Sequence, residues 1–278
     1  MAGRALVLGG GGITGIAWEW GMLAGLADAG VELTAADLVV GTSAGSVVGA
    51  QVAAGADVQE RYAAQLEPPT GEIAARMRRG SLLRWGLVAA RHARNPQAYR
   101  ARIGQLALAA RTVSEADRRA VIESRLPVHT WPERRLLITA VDAATGEFVV
   151  YDRDSGVSLV DAVGASCAVP GVWPPVTVNG RRMVDGGVRS AANADLAEGC
   201  DRIVVIAPIT AGGGPLPSVA SQAAALRPAQ VAVLAPDRAA RQTFGRNVLD
   251  PAARAPAARA GRTQAATVAD TVRDLWAG

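Results

Sequence analysis

The strongest chemical signal in the chain is a serine set between glycines. Gly41-Thr42-Ser43-Ala44-Gly45 has the Gly-x-Ser-x-Gly spacing. Gly41 and Gly45 permit a tight strand–turn–helix connection that pushes the Ser43 hydroxyl into a strained, exposed position at a helix N-terminus. That arrangement suits a nucleophile, although the same five residues also form ordinary turns. A second signal precedes it. In Gly9-Gly10-Gly11-Gly12-Ile13-Thr14-Gly15 a glycine-rich turn enters a helix, and its backbone N–H groups could hold a phosphate or a developing oxyanion. Gly10, Gly12 and Gly15 also fit a dinucleotide-binding turn, which needs an Asp or Glu at the end of the second strand for the ribose hydroxyls. Gly41-Thr42-Ser43 occupies that place, which counts against an NAD(P) or flavin oxidoreductase.

A nucleophilic serine needs a base. The usual Ser, Asp/Glu, His order ends on a late histidine, and the chain has only His92 and His129. His92 lies among arginines and His129 precedes Thr130-Trp131-Pro132, so both read as surface or structural residues. A carboxylate is then the remaining base. Met183-Val184-Asp185-Gly186-Gly187-Val188 presents one at the end of an apolar strand, where Gly186 and Gly187 let the backbone turn sharply. Taken alone, this is a plain Asp-Gly turn. Composition removes other chemistries. All 29 basic residues are arginine, which excludes P-loop, Schiff-base and Ser-x-x-Lys mechanisms. Two histidines and two cysteines, Cys167 and Cys200, cannot build a multi-cysteine zinc site.

These motifs need elements to hold them. Residues 4–8 and 38–40 read as buried strands ahead of the two glycine turns. Ile16, Trp20, Leu23 and Ala27 mark one face of a helix over 16–29, and a small-residue helix starts at Ala44. After Pro68-Pro69 a basic helical segment is interrupted at Gly80 and at Asn95-Pro96, and Ser114 caps a helix over 114–124. Strands follow at 136–141 and 148–151, then a short helix at 159–165. A hairpin, 176–178 with 182–184, turns at Asn179-Gly180. Strands at 203–207 and 231–235 and a helix over 267–276 close the chain. This alternation predicts a layered α/β fold with a largely parallel sheet.

Together the three constellations resemble the patatin-like phospholipases, in that family's order. The stretch Ala165-Ser166-Cys167-Ala168-Val169-Pro170-Gly171-Val172-Trp173-Pro174-Pro175 is similar too, and the likeness spans about residues 4–208. It implies a single domain over 1–278, with a three-layer α/β/α hydrolase fold. A basic helical insertion would occupy about 71–126 and a strand-plus-helix extension about 229–278. It implies Ser43 as nucleophile and Asp185 as base, with the N–H groups of Gly10, Gly11 and Gly12 as the oxyanion hole. Gly15, Gly41, Gly45, Gly186 and Gly187 would be the motif glycines. The reaction would be cleavage of lipid carboxylic esters through an acyl-enzyme, with no metal or organic cofactor. One position departs. The family carries Arg or Lys just before the last loop glycine, and this chain has Thr14, which implies lower activity or a less anionic substrate.

Charge is uneven. The net is +4, but residues 73–114 hold nine arginines and no acid, leaving the rest at −5. Two readings follow for Arg76, Arg78, Arg79 and Arg84. With the nearby Leu83, Trp85 and Leu87 they would lay a basic amphipathic helix on an anionic membrane. Alternatively they are solvated and pair with acids elsewhere. No recognised nucleic-acid module is present. No apolar run reaches about 18 residues and no leader pattern is seen, so a cytoplasmic protein, peripheral on the inner membrane face, is expected. Rival readings are a carboxylesterase or thioesterase for soluble acyl substrates, and a catalytically weak membrane-binding protein.

Overall fold

Short apolar runs become the strands of one eight-stranded sheet in a computed structural model that describes residues 3–69, 72, 75–77 and 79–277. The strands are β1 (Arg4–Leu8), β2 (Leu38–Gly41), β3 (Arg135–Asp142), β4 (Phe148–Tyr151), β5 (Val176–Val178), β6 (Arg181–Asp185), β7 (Arg202–Ile206) and β8 (Gln230–Leu234). Each expected strand appears within one residue. Their order is β5-β6-β3-β2-β1-β7-β8, with β4 paired to β3. From β3 to β8 the neighbours are parallel, while β4, β5 and β6 join antiparallel. The hairpin turns at Asn179 and Gly180, both with positive φ.

The helices are α1 (Gly12–Asp28), α2 (Ala44–Ala53), α3 (Val58–Leu66), α4 (Arg79–Arg91), α5 (Pro96–Leu108), α6 (Glu115–Arg125), α7 (Leu159–Ser166), α8 (Val219–Ala225), α9 (Arg238–Phe244) and α10 (Arg254–Ala277). Ser114 caps α6 by accepting from the Asp117 N–H at 3.0 Å. Asn95 caps α5 in the same way through Ala98. Both faces of the sheet are buried, which makes the layers. Leu6, Leu8, Val39 and Ile206 share a core with α1, α2 and α10. Ala5, Val7, Val40 and Val205 face the other way, onto Ala192, Val219 and Leu226.

Two helices differ from expectation. α1 begins at Gly12 rather than 16, so the glycine motif itself forms its first turn. α1 is also buried all round from Ile13 to Leu26, not along one face, because α10 covers it. That crossing brings backbones together. A Cβ on Gly21 would stand 2.1 Å from the Ala258 carbonyl oxygen, and one on Gly25 would stand 2.6 Å from the Ala265 Cβ. α10 is more than twice the expected length, 24 residues, and the buried positions of its unexpected first half are mostly alanine and glycine, which give little apolar periodicity to read.

β1 and β2 are neighbours in register, Leu8 opposite Gly41. The glycine loop and the serine turn therefore leave the sheet side by side at its carboxyl edge. Asp185, at the end of β6, pairs with Ala140 of β3.

Candidate active site

Ser43 has φ 53° and ψ −115°, a conformation that costs a non-glycine residue about 1–3 kcal/mol. Its surroundings impose it. The Ser43 N–H donates to Ser166 Oγ at 2.9 Å, and its carbonyl accepts from Ser46 Oγ at 2.7 Å. The Gly45 N–H reaches across to Gly9 O at 2.9 Å. A side chain at Gly45 is excluded, since its Cβ would fall 2.1 Å from Leu8 O. Ser43 thus stands at the N-terminus of α2, where the helix dipole favours negative charge.

Asp185 is buried and its Oδ1 accepts from the Gly187 N–H at 2.7 Å. Burial pushes its pKa up to about 6, against opposing pulls from a hydrogen bond with the Ser43 side chain, the Gly187 N–H and the Arg118 guanidinium. A carboxylate poised there is ionised at neutral pH and basic enough to take a proton. The glycines after it have steric causes. A Cβ at Gly186 would lie 2.2 Å from Thr139 Oγ1, and one at Gly187 would lie 2.9 Å from Asp185 Oδ1.

A buried amide joins the two halves. Asn193 Nδ2, with two N–H donors, lies within hydrogen-bond distance of Thr42 Oγ1 at 3.0 Å, Thr139 Oγ1 at 3.3 Å, Gly186 O at 3.3 Å and Ser190 O at 3.0 Å. The two threonine hydroxyls are 2.9 Å apart. One side chain therefore ties the serine turn to the Asp-Gly-Gly turn. Asn193 and Thr139 carry no motif and escaped sequence reasoning. Ser166 lay inside a family-like stretch without an assigned role.

The glycine loop is divided. The Gly10 N–H donates to Ala191 O at 2.7 Å, so it is committed and does not match the donor role expected of it. The N–H groups of Gly11 and Gly12 find no acceptor among the described residues. Gly10, Gly11 and Gly12 line, with Ser43 and Asp185, a cavity of about 830 Å³. Gly15 lies in the first turn of α1, its N–H on Gly11 O, and Gly41 ends β2. Thr14 is fully buried, its hydroxyl directed at the carbonyls of Gly11 and Val248.

Of the basic segment, Arg76 and Trp85 line the cavity, and Arg84 is exposed. Arg78 and the side chain of Arg79 lie outside the described residues. Among the described residues, none of this segment's arginines forms an ion pair, so the expected pairing with acids elsewhere is not seen. Leu83 and Leu87, one turn apart on α4, are 71% and 72% exposed. No described helix is long and apolar enough to cross a membrane.

A family model described as patatin-like phospholipase matches residues 6–198. No curated protein sequence matches the chain. Among solved structures, VipD from Legionella pneumophila aligns with a TM-score of 0.49 and 15% identity, covering 98% of this chain and 67% of VipD. The type III effector protein ExoU aligns with a TM-score of 0.42 and 15% identity, covering 98% of this chain and 53% of ExoU. The chain thus spans about two thirds of one and half of the other.

Proposed function

The chain belongs to the patatin-like phospholipase family, and on that premise we propose that it hydrolyses carboxylic esters of lipids through Ser43 and Asp185. One observation carries the reading. A strained serine, a buried carboxyl and two N–H groups with no acceptor among the described residues line one largely apolar cavity of about 830 Å³. That volume suits an acyl chain.

In the proposed reaction Asp185 takes the proton of the Ser43 hydroxyl as its oxygen attacks the acyl carbon. The Gly11 and Gly12 N–H groups hold the oxyanion, each donor typically worth about 10²–10³ in rate. The tetrahedral adduct collapses, and Asp185 returns the proton to the departing alcohol. Water, deprotonated by Asp185, then attacks the acyl-enzyme, and the proton passes back to Ser43 as the fatty acid leaves. The exposed Leu83 and Leu87 stand on the helix whose Trp85 lines the cavity. We therefore place α4, with Arg76 and Arg84, against an anionic membrane on the cytoplasmic face. Hydrolysis of soluble esters is the second reading, and the open cavity permits it.

The test is labelling with a fluorophosphonate followed by peptide mapping. An adduct on Ser43, lost in Asp185→Asn, is the expected result. A folded protein that takes no label would remove the hydrolase reading.

A further inference from the structure

A buried guanidinium with two nitrogens unpaired among the described residues lines the same recess as Ser43. Arg118, on α6, is only 5% exposed, and its Nε and Nη1 find no hydrogen-bond partner among the described residues. It lies 4.0 Å over the Trp173 ring, which orients the cation without neutralising it. The neighbouring Arg125 differs, since Glu72 accepts from its Nη2 at 2.5 Å and its Nε at 3.1 Å. Arg118, Arg125, Trp173 and Ser43 line one recess of about 20 Å³. The recess shares Gly12, Ser43, Val169 and Leu249 with the large cavity.

A buried cation is costly unless compensated. The acids whose charge reaches Arg118 are Glu72 and Asp185, and both are engaged, Glu72 by Arg125 and Asp185 by the Gly187 N–H. Burial lowers the Arg118 pKa only to about 10, so it remains charged at neutral pH. The Cys167 thiol in the same recess is held neutral, because burial raises its pKa.

We infer that Arg118 is the base of an oxyanion subsite for a phosphate carried by the ester substrate. The recess has room for about one water-sized group, so a phosphate would enter by one ionised oxygen and leave its bulk in the cavity. The subsite deepens the reading of Ser43 given above, and it supplies from α6 a positive charge that the glycine loop lacks at Thr14.

The test compares 1-octanoylglycerol with 1-octanoylglycerol 3-phosphate, which differ only in the phosphate. Wild type, Arg118→Gln and Arg118→Lys are assayed, with inorganic phosphate as competitor. Wild type should favour the phosphate ester about tenfold or more in kcat/KM, the range of a hydrogen bond to a charged group. Arg118→Gln should lose that preference and Arg118→Lys keep part of it. An effect through Asp185 would slow both esters alike and leave the ratio unmoved. Inhibition of the neutral ester by inorganic phosphate in wild type alone would mark the free ion as a ligand too. Preference without inhibition would restrict the subsite to the esterified group. Equal turnover of the two esters by wild type, or an unchanged ratio in Arg118→Gln, overturns the proposal. If Arg118→Gln does not fold, wild type and Arg118→Lys decide by the same ratio. Calorimetry on Ser43→Ala reads the subsite without turnover, so a failed hydrolase assay and a failed subsite are distinguishable. Equal affinity for the two esters there overturns the subsite.

Discussion

Burial raises the Asp185 carboxyl from 3.8 to about 6. The folded state therefore holds this proton more tightly than the unfolded chain does. Between about pH 4 and 6 the folded form binds more protons, so stability falls as pH rises through that window and stays lower above it. The proposed activity runs the opposite way, because the base must be ionised. We expect kcat/KM on a soluble ester to rise with pH through about 6 and level off above it, measured by a stopped pH–rate profile. Asp185→Asn should be inactive, yet more stable than wild type at pH 8 by up to about 3 kcal/mol, with the gain vanishing near pH 4. Urea titrations at the two pH values check this, and equal stabilities at both would contradict the assigned burial. Asn193 works differently, as the joint between the two turns. Asn193→Ala leaves the Thr42 and Thr139 hydroxyls short of a donor and should cost about 1–3 kcal/mol while slowing fluorophosphonate labelling of Ser43.

The crossing of α1 with α10 has no side-chain layer at Gly21, Gly25 and Gly261, where added Cβ atoms would meet backbone or Cβ atoms at 2.1–2.6 Å. The Trp18 indole is satisfied there by Gln264 of α10, and that of Trp20 on another side of α1 by Gln51 of α2. Since the glycine loop is the first turn of α1, any shift of this helix moves Gly11 and Gly12 against Ser43. Gly25→Val should therefore lower stability by about 1–3 kcal/mol or more through overpacking, seen as a fall in the urea midpoint, and should also depress activity in the fraction that folds. A midpoint within error of wild type would mean that the two helices do not pack this closely.

Charge and exposed apolar surface coincide on one part of the molecule. α4 carries Leu83 and Leu87 outward, and the described arginines around it form no ion pairs. Each arginine near an anionic bilayer contributes about 1 kcal/mol, and salt screens it. Replacing Arg84 and Arg91 by Gln should weaken co-sedimentation with anionic vesicles about tenfold or more at low salt and leave neutral vesicles unaffected. Leu83→Glu with Leu87→Glu should weaken both. Binding unchanged in all four substitutions would retire α4 as the membrane face.

Local chemistry was enough to place the strands and to make Ser43 a candidate, because a tight turn admits few residue types and short apolar runs bounded by glycines admit few conformations; Asp185 became a candidate only by elimination and through the family resemblance. The glycines of Gly41-Thr42-Ser43-Ala44-Gly45 and Asp185-Gly186-Gly187 are legible for the same reason: backbone and carboxylate atoms occupy the space a side chain would need. Other facts depend on distant partners. Gly10 looks like its neighbours in sequence, but Ala191 takes its N–H. Asn193, Ser166 and Arg118 announce no role of their own in the sequence, and partners 151 and 123 positions away bring the first two into the site. The length of α10 and the all-round burial of α1 follow from a contact between small residues that hydropathy hardly registers. Spacing along the chain reports what each turn requires of itself, while the partner of a given N–H, amide or guanidinium is set only when separate elements pack.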